Sequence, residues 1–89
     1  MKRREATVVR YKPRQMTDDE RKIFILEGLP DVGPKLAEKL LLRFGTLRNV
    51  FNASLHQLQD VEGIGEKKAE EIYRIINTPY KRRRDLKLL

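Results

Sequence analysis

Sliding this 89-residue sequence past itself by 32 positions lays residues 29–46 over residues 61–78. Gly33 then falls on Gly65, Lys35 on Lys67, Ala37 on Ala69, Glu38 on Glu70 and Thr46 on Thr78. Apolar positions agree in the same frame: Leu29 with Val61, Val32 with Ile64, Leu40 with Ile72, and upstream Ile23 with Leu55 and Leu26 with Leu58. Two unrelated amphipathic helices would align their apolar positions, but not a glycine, a lysine and a small alanine as well. Two copies of one helix–turn–helix unit is the economical explanation. A chain this short forms one small domain. The copies must therefore share a core, and that core is thin, since only about 60–65% of the unfolded surface is buried at this size.

Local signals place the helices of each copy. Thr17-Asp18-Asp19-Glu20 is a capping box, with acids facing the positive end of a helix that carries Ile23, Phe24, Ile25 and Leu26 to about Gly28. After a break at Leu29-Pro30-Asp31-Val32-Gly33, Pro34 suits the first turn of a second helix. Its apolar face is Leu36, Ala37, Leu40, Leu41 and Phe44, and Gly45 ends it in the left-handed conformation. Thr46 caps a short helix through Phe51, and Ser54 caps another that holds Leu55 and Leu58. A second break, Val61-Glu62-Gly63-Ile64-Gly65, precedes a helix with Ala69, Ile72, Tyr73, Ile75 and Ile76 on its apolar face, stopping near Asn77-Thr78-Pro79. The only alternating apolar run is Ala6 to Tyr11. The expectation is an all-α domain of about five short helices over residues 17–80, with units at about 17–45 and 50–78. Basic tails flank it at 1–16 and 81–89.

Composition removes several classes of function. There is no cysteine, so there are no disulfides and no thiolate metal sites, and His56 is the only histidine. No apolar run approaches the roughly 20 residues that span a bilayer. The opening Met-Lys-Arg-Arg-Glu has no apolar stretch behind it and does not read as a secretory signal. The expected setting is intracellular, with no membrane and no small-molecule substrate. The net charge of +7 favours a polyanionic partner, but it sits in the tails. Residues 1–15 carry +5, residues 81–89 carry +4, and the stretch between carries −2. Any polyanion binding by the helical part must therefore come from local geometry.

Each copy supplies such geometry. A turn glycine, Gly33 or Gly65, is expected to permit positive φ and close backbone approach. The helix that follows begins with unpaired amides beside the positive end of its dipole, a small nest suited to a phosphate. Lys35 and Lys67 stand in that first turn, with Lys68 beside the second. Val32 and Ile64 would tuck between the two helices of each hairpin, and Ala37 and Ala69 would let those helices come close.

The pattern resembles the helix-hairpin-helix motif, and its tandem form is similar to the C-terminal domain of the XPF/Hef family of structure-specific DNA endonucleases. The resemblance covers about residues 17–80 and is archaeal-like. It rests on Leu-Pro-Asp-Val-Gly-Pro-Lys at 29–35, Phe-Gly-Thr-Leu at 44–47, Val-Glu-Gly-Ile-Gly-Glu-Lys-Lys-Ala at 61–69 and the closing Thr78-Pro79-Tyr80. It implies a non-catalytic domain that binds duplex or forked DNA without sequence preference and forms a homodimer. It implies no cofactor here, with Mg²⁺ or Mn²⁺ expected only in a separate nuclease domain. The DNA-binding residues it points to are Gly33, Lys35, Gly63, Gly65, Lys67 and Lys68. An aromatic at the place of Tyr80 plugs a pocket of the partner chain in such domains, and Phe24 is the second interface candidate. This setting is cytoplasmic or nucleoid-associated in an archaeon and nuclear in a eukaryote.

The sequence departs from that pattern at two hairpin positions. The usual first glycine of the hairpin is Asp31 in the first copy and Gly63 in the second, and Glu66 adds a second acid near the second site. An acid is unfavourable beside a phosphate, so the second hairpin is expected to bind better. Glu20-Arg21-Lys22 is similar to the nuclease core tripeptide of the family but lacks its accompanying acids, and reads as an exposed first helical turn. Two alternatives stand beside the DNA-binding reading. In one, the domain is mainly a dimerisation module with vestigial hairpins, favoured by the −2 core and Asp31. In the other, the chain is a small nuclease, a reading with only Glu20-Arg21-Lys22 behind it and no clustered carboxylates to hold a metal. For Tyr80 itself, the alternative to an interface role is that it folds back over Ile76 of its own chain.

Overall fold

The computed structural model describes residues 15–81, and within them five helices and no strand form. They are α1 (Asp18–Leu26), α2 (Pro34–Phe44), α3 (Leu47–Phe51), α4 (Leu55–Gln59) and α5 (Glu66–Asn77). Residues 1–14 and 82–89 of the tails, with the run from Ala6 to Tyr11 and Arg82-Arg83-Arg84, lie outside the described residues. The fold is all-α. α1 lies against α2, α4 against α5, and α3 against α2, so each hairpin is a helix pair and α3 joins them.

The duplication is carried bond for bond. The Leu29 N–H donates to the Leu26 carbonyl at 3.0 Å, and Val61 to Leu58 at 3.2 Å. Val32 donates to Leu29 at 3.2 Å, and Ile64 to Val61 at 3.0 Å. Ala37 donates to Gly33, and Ala69 to Gly65, both at 2.9 Å. The buried core repeats in the same register: Leu26 with Leu58, Leu29 with Val61, Val32 with Ile64, Ala37 with Ala69, and Leu40 with Ile72. Only Val50 and Ala53 of the buried set stand outside this pairing, and both belong to the connection through α3. Neither copy could close this core alone, because each supplies half of one cluster.

The helices start and stop where the chain's chemistry requires. Thr17 and Glu20 form the capping box of α1 reciprocally, and Ser54 and Gln57 form that of α4. α1 ends at Leu26, two residues before Gly28, because the turn closed by the Gly28 and Leu29 amides already begins there. Gly45 takes φ 90 at the end of α2, and its N–H returns to the Leu41 carbonyl at 2.7 Å. Along α5 the buried stripe is Ala69 and Ile72, with Ile76 half-buried; Tyr73 and Ile75 are exposed instead of joining the core. Successive helical residues are turned by about 100°, and the helices of so small a domain cover a narrower stripe than the apolar pattern offers.

Two ion pairs bridge the copies: Lys39 with Glu62 at 3.8 Å and Arg43 with Asp60 at 3.6 Å. Both are exposed, so each contributes about 0–1 kcal/mol. Among the described residues, no helix is long and apolar enough to cross a membrane.

Candidate nucleic-acid interface

Three helices close their N-termini with a side chain. The Thr17 hydroxyl accepts from the Glu20 N–H at 3.1 Å, Thr46 from Asn49 at 3.0 Å and Ser54 from Gln57 at 3.0 Å. The helices α2 and α5 do not; their N-caps are Gly33 and Gly65, with no side-chain hydrogen bond. The two N-caps share one backbone conformation, φ −95 and ψ −173 at Gly33, φ −85 and ψ −175 at Gly65. Apart from the glycine and its immediate chain neighbours, no atom lies within 4 Å of where a Cβ would stand at either. Glycine here leaves the first-turn amides uncovered and the space before them open.

This corrects the conformational role expected of Gly33 and Gly65. Their backbone is extended, which any residue adopts. The left-handed backbone falls two residues earlier, at Asp31 with φ 58 and Gly63 with φ 96. A Cβ at Gly63 would also stand 3.3 Å from Leu36 Cδ1, so this glycine serves both a turn and a close approach of the first copy. Gly63 shapes the hairpin, and Gly65 clears the way to the helix end.

The two helix starts are not equal as donors. Pro34 occupies the first position of α2 and has no N–H, leaving Lys35 and Leu36 in that turn. The first turn of α5 offers the amides of Glu66, Lys67 and Lys68. An open concavity of about 460 Å³ lies in front of α5, lined by Asp31, Gly63, Gly65, Glu66, Lys67, Lys68 and Glu71. Four of the six proposed DNA-binding residues thus come together there. Gly33 and Lys35 are exposed at the first hairpin and are not part of that lining. Asp31 and Glu71 were not foreseen as lining residues of this concavity. The 32-residue register, which pairs position 31 with Gly63, was the one sequence signal for the first.

The supporting residues are placed as follows. Val32 and Ile64 are buried inside the hairpins, and Ala37 and Ala69 are fully buried. Tyr80 is 83% exposed and Phe24 56% exposed, and Ile25 and Leu42 are exposed as well. His56 is exposed on α4. Among the described residues no group of three or more His, Cys, Asp or Glu could hold a metal ion. The Glu20 carboxylate accepts from the Thr17 N–H at 3.0 Å in the α1 cap.

Comparison with known proteins finds relatives of this chain among helix-hairpin-helix proteins. A family profile described as SAM-like Helix-hairpin-helix tandem matches residues 24–78. The 3'-flap repair endonuclease Xpf of Saccharolobus solfataricus is 50% identical over 58 residues, covering 65% of this chain and 24% of that protein. A Methanocaldococcus jannaschii protein named as an ATP-dependent RNA helicase is 41% identical over 80 residues, covering 90% of this chain and 10% of that protein. The structure of XPF from Aeropyrum pernix in complex with DNA superposes with a TM-score of 0.71 at 45% identity, covering 82% of this chain and 36% of that one. The chain therefore spans a quarter or less of these two curated relatives.

Proposed function

This chain belongs to the SAM-like helix-hairpin-helix tandem family, and we propose that it grips the sugar–phosphate backbone of duplex or branched DNA at the N-termini of α2 and α5. The observation that carries this reading is the pair of glycine-capped helix starts, alike in backbone and left open where every other helix is closed by a side chain. A phosphate would accept from the first-turn amides at the positive end of the dipole. Lys35 would approach it at the first hairpin and Lys67 and Lys68 at the second. Val32, Ile64, Ala37 and Ala69 hold the hairpins in shape beneath. Interactions of this kind fix position and carry no base code, so binding is independent of sequence. The likeness to the DNA-bound Aeropyrum XPF supports this reading.

The domain serves as the non-catalytic DNA-binding part of a larger, intracellular, structure-specific repair nuclease, with metal-dependent cleavage left to another domain. Hairpins of this type occur in proteins named for different chemistry, so the catalytic assignment rests on the likeness to Xpf. A second copy of the chain pairs with it, and the exposed Tyr80, Phe24, Ile25 and Leu42 favour this, since they place large apolar groups in water on so small a domain. Titrating the chain against labelled forked and linear duplexes tests the binding. A Lys67→Ala, Lys68→Ala variant should bind several-fold more weakly and lower the log–log salt slope by about 0.9 for each phosphate it no longer neutralises. Unchanged affinity and slope would leave a dimerisation module with vestigial hairpins as the better account. Incubation with flap DNA and manganese should give no cleavage, and cleavage abolished by Glu20→Ala would overturn the non-catalytic assignment.

A further inference from the structure

Asp31 belongs by sequence to the first hairpin, yet it lines the concavity in front of the second, beside Gly63, Gly65, Lys67 and Lys68. It is the only non-glycine residue with positive φ among the described residues. Glycine takes that backbone freely, and asparagine and aspartate are the side chains that tolerate it best. The Asp31 carboxylate makes no hydrogen bond or ion pair with any described residue. The turn would form at least as well with the glycine found at the equivalent position 63. The acid therefore gives the fold nothing that its repeat partner does not.

We propose that Asp31 is an affinity-limiting residue of the second hairpin, acting from the first. Its negative charge opposes a phosphate seated at the start of α5 and limits how tightly that site holds DNA. This rests on the DNA-binding reading above. A phosphate on the amides of Glu66, Lys67 and Lys68 is drawn by two ammonium groups and repelled by three carboxylates, Asp31, Glu66 and Glu71, within one solvent-open concavity; of the three, only Asp31 comes from the first hairpin. At such a surface, charges several ångströms apart still interact, and salt screens them. The duplication is thus symmetric in backbone and asymmetric in charge.

The test compares Asp31→Asn in three backgrounds of the 89-residue chain, read by fluorescence anisotropy with a labelled forked duplex. Asparagine keeps the left-handed backbone and removes only the charge. In the otherwise unaltered chain, Asp31→Asn should tighten binding by roughly threefold to tenfold at about 50 mM salt, and by less at about 200 mM. Gly65→Val blocks the second site and Gly33→Val the first; neither Cβ meets an atom within 4 Å, so both variants should fold, as circular dichroism would verify. The gain should survive in the Gly33→Val background and vanish in the Gly65→Val background. A gain that disappears with Gly33→Val, persists with both, or is absent from the start overturns the inference. Where Gly65→Val itself weakens binding, such a result leaves the DNA-binding reading standing. If neither glycine variant weakens binding, that reading fails together with the inference.

Discussion

Placing a serine at position 65 should stabilise the domain and weaken its hold on DNA in the same stroke. Gly65 is an N-cap with extended backbone and empty space where a Cβ would go, so serine fits without strain. Its hydroxyl would accept from the Lys68 N–H, as Ser54 does from Gln57 at the start of α4. Serine exceeds glycine as a cap by a few tenths of a kcal/mol. Removing a glycine whose native backbone other residues can adopt adds about 0.4–1 kcal/mol through the unfolded chain. The sum, roughly 0.5–1.3 kcal/mol, corresponds to a rise in Tm of about 2–10 °C for a domain of this size. The same hydroxyl would occupy an amide that the phosphate needs. A hydrogen bond to a charged group contributes about 1.5–3 kcal/mol, so its loss should weaken DNA binding by about tenfold or more. Thermal melts and anisotropy titrations on one preparation give both numbers. Serine variants that melt higher yet bind DNA as tightly as the parent would refute the assignment of the α5 start as a phosphate site. A lower Tm would refute the account of Gly65 as conformationally unconstrained.

Other outcomes follow from the same geometry. Gly63→Ala forces a side chain into φ 96 and against Leu36, and should lower stability by about 1–2 kcal/mol in a denaturant melt. Ala69→Leu overfills a fully buried helix face and should cost about 1–3 kcal/mol in the same assay. A double-mutant cycle on Lys39 and Glu62 should return less than about 1 kcal/mol of coupling, falling further with added salt. Tyr80→Ala should leave Tm of the monomer unchanged while reducing the mass seen by light scattering at tens of micromolar from dimer to monomer; an unchanged dimer would remove Tyr80 from the interface.

Much of this was legible in the sequence because the duplication makes each local signal count twice. The caps at Thr17, Thr46 and Ser54, the left-handed Gly45 and the paired core from Leu26 with Leu58 through Leu40 with Ile72 all follow from residue type and spacing. Periodicity failed at Tyr73 and Ile75, since it reports which side of a helix is apolar and not how much of that side a neighbour covers. The glycines were harder still. A motif gives the number of glycines a turn needs without assigning which one bends and which one clears space, and here the bending fell to Asp31 and Gly63. The presence of Asp31 beside the start of α5 depends on how the two hairpins meet, a tertiary relation that no local pattern encodes.

The connection between the copies has its own consequence. Val50 and Ala53 are buried, and Asn49 ties α3 back to the Phe44 carbonyl at 2.9 Å, so the two helix starts are joined by packed structure and not by a tether. A flexible tether would let the second site find a phosphate over a range of separations, at an effective concentration that declines gently with span. A packed joint concentrates that advantage at one separation and forfeits it elsewhere. Double-stranded DNA varies its groove width with sequence, bending and interruption of the helix. If both helix starts hold phosphates as proposed, their fixed spacing would act as a gauge: bivalent avidity would arise only where the distance between the strands matches the distance between the two sites, and shape would be selected without any base being touched.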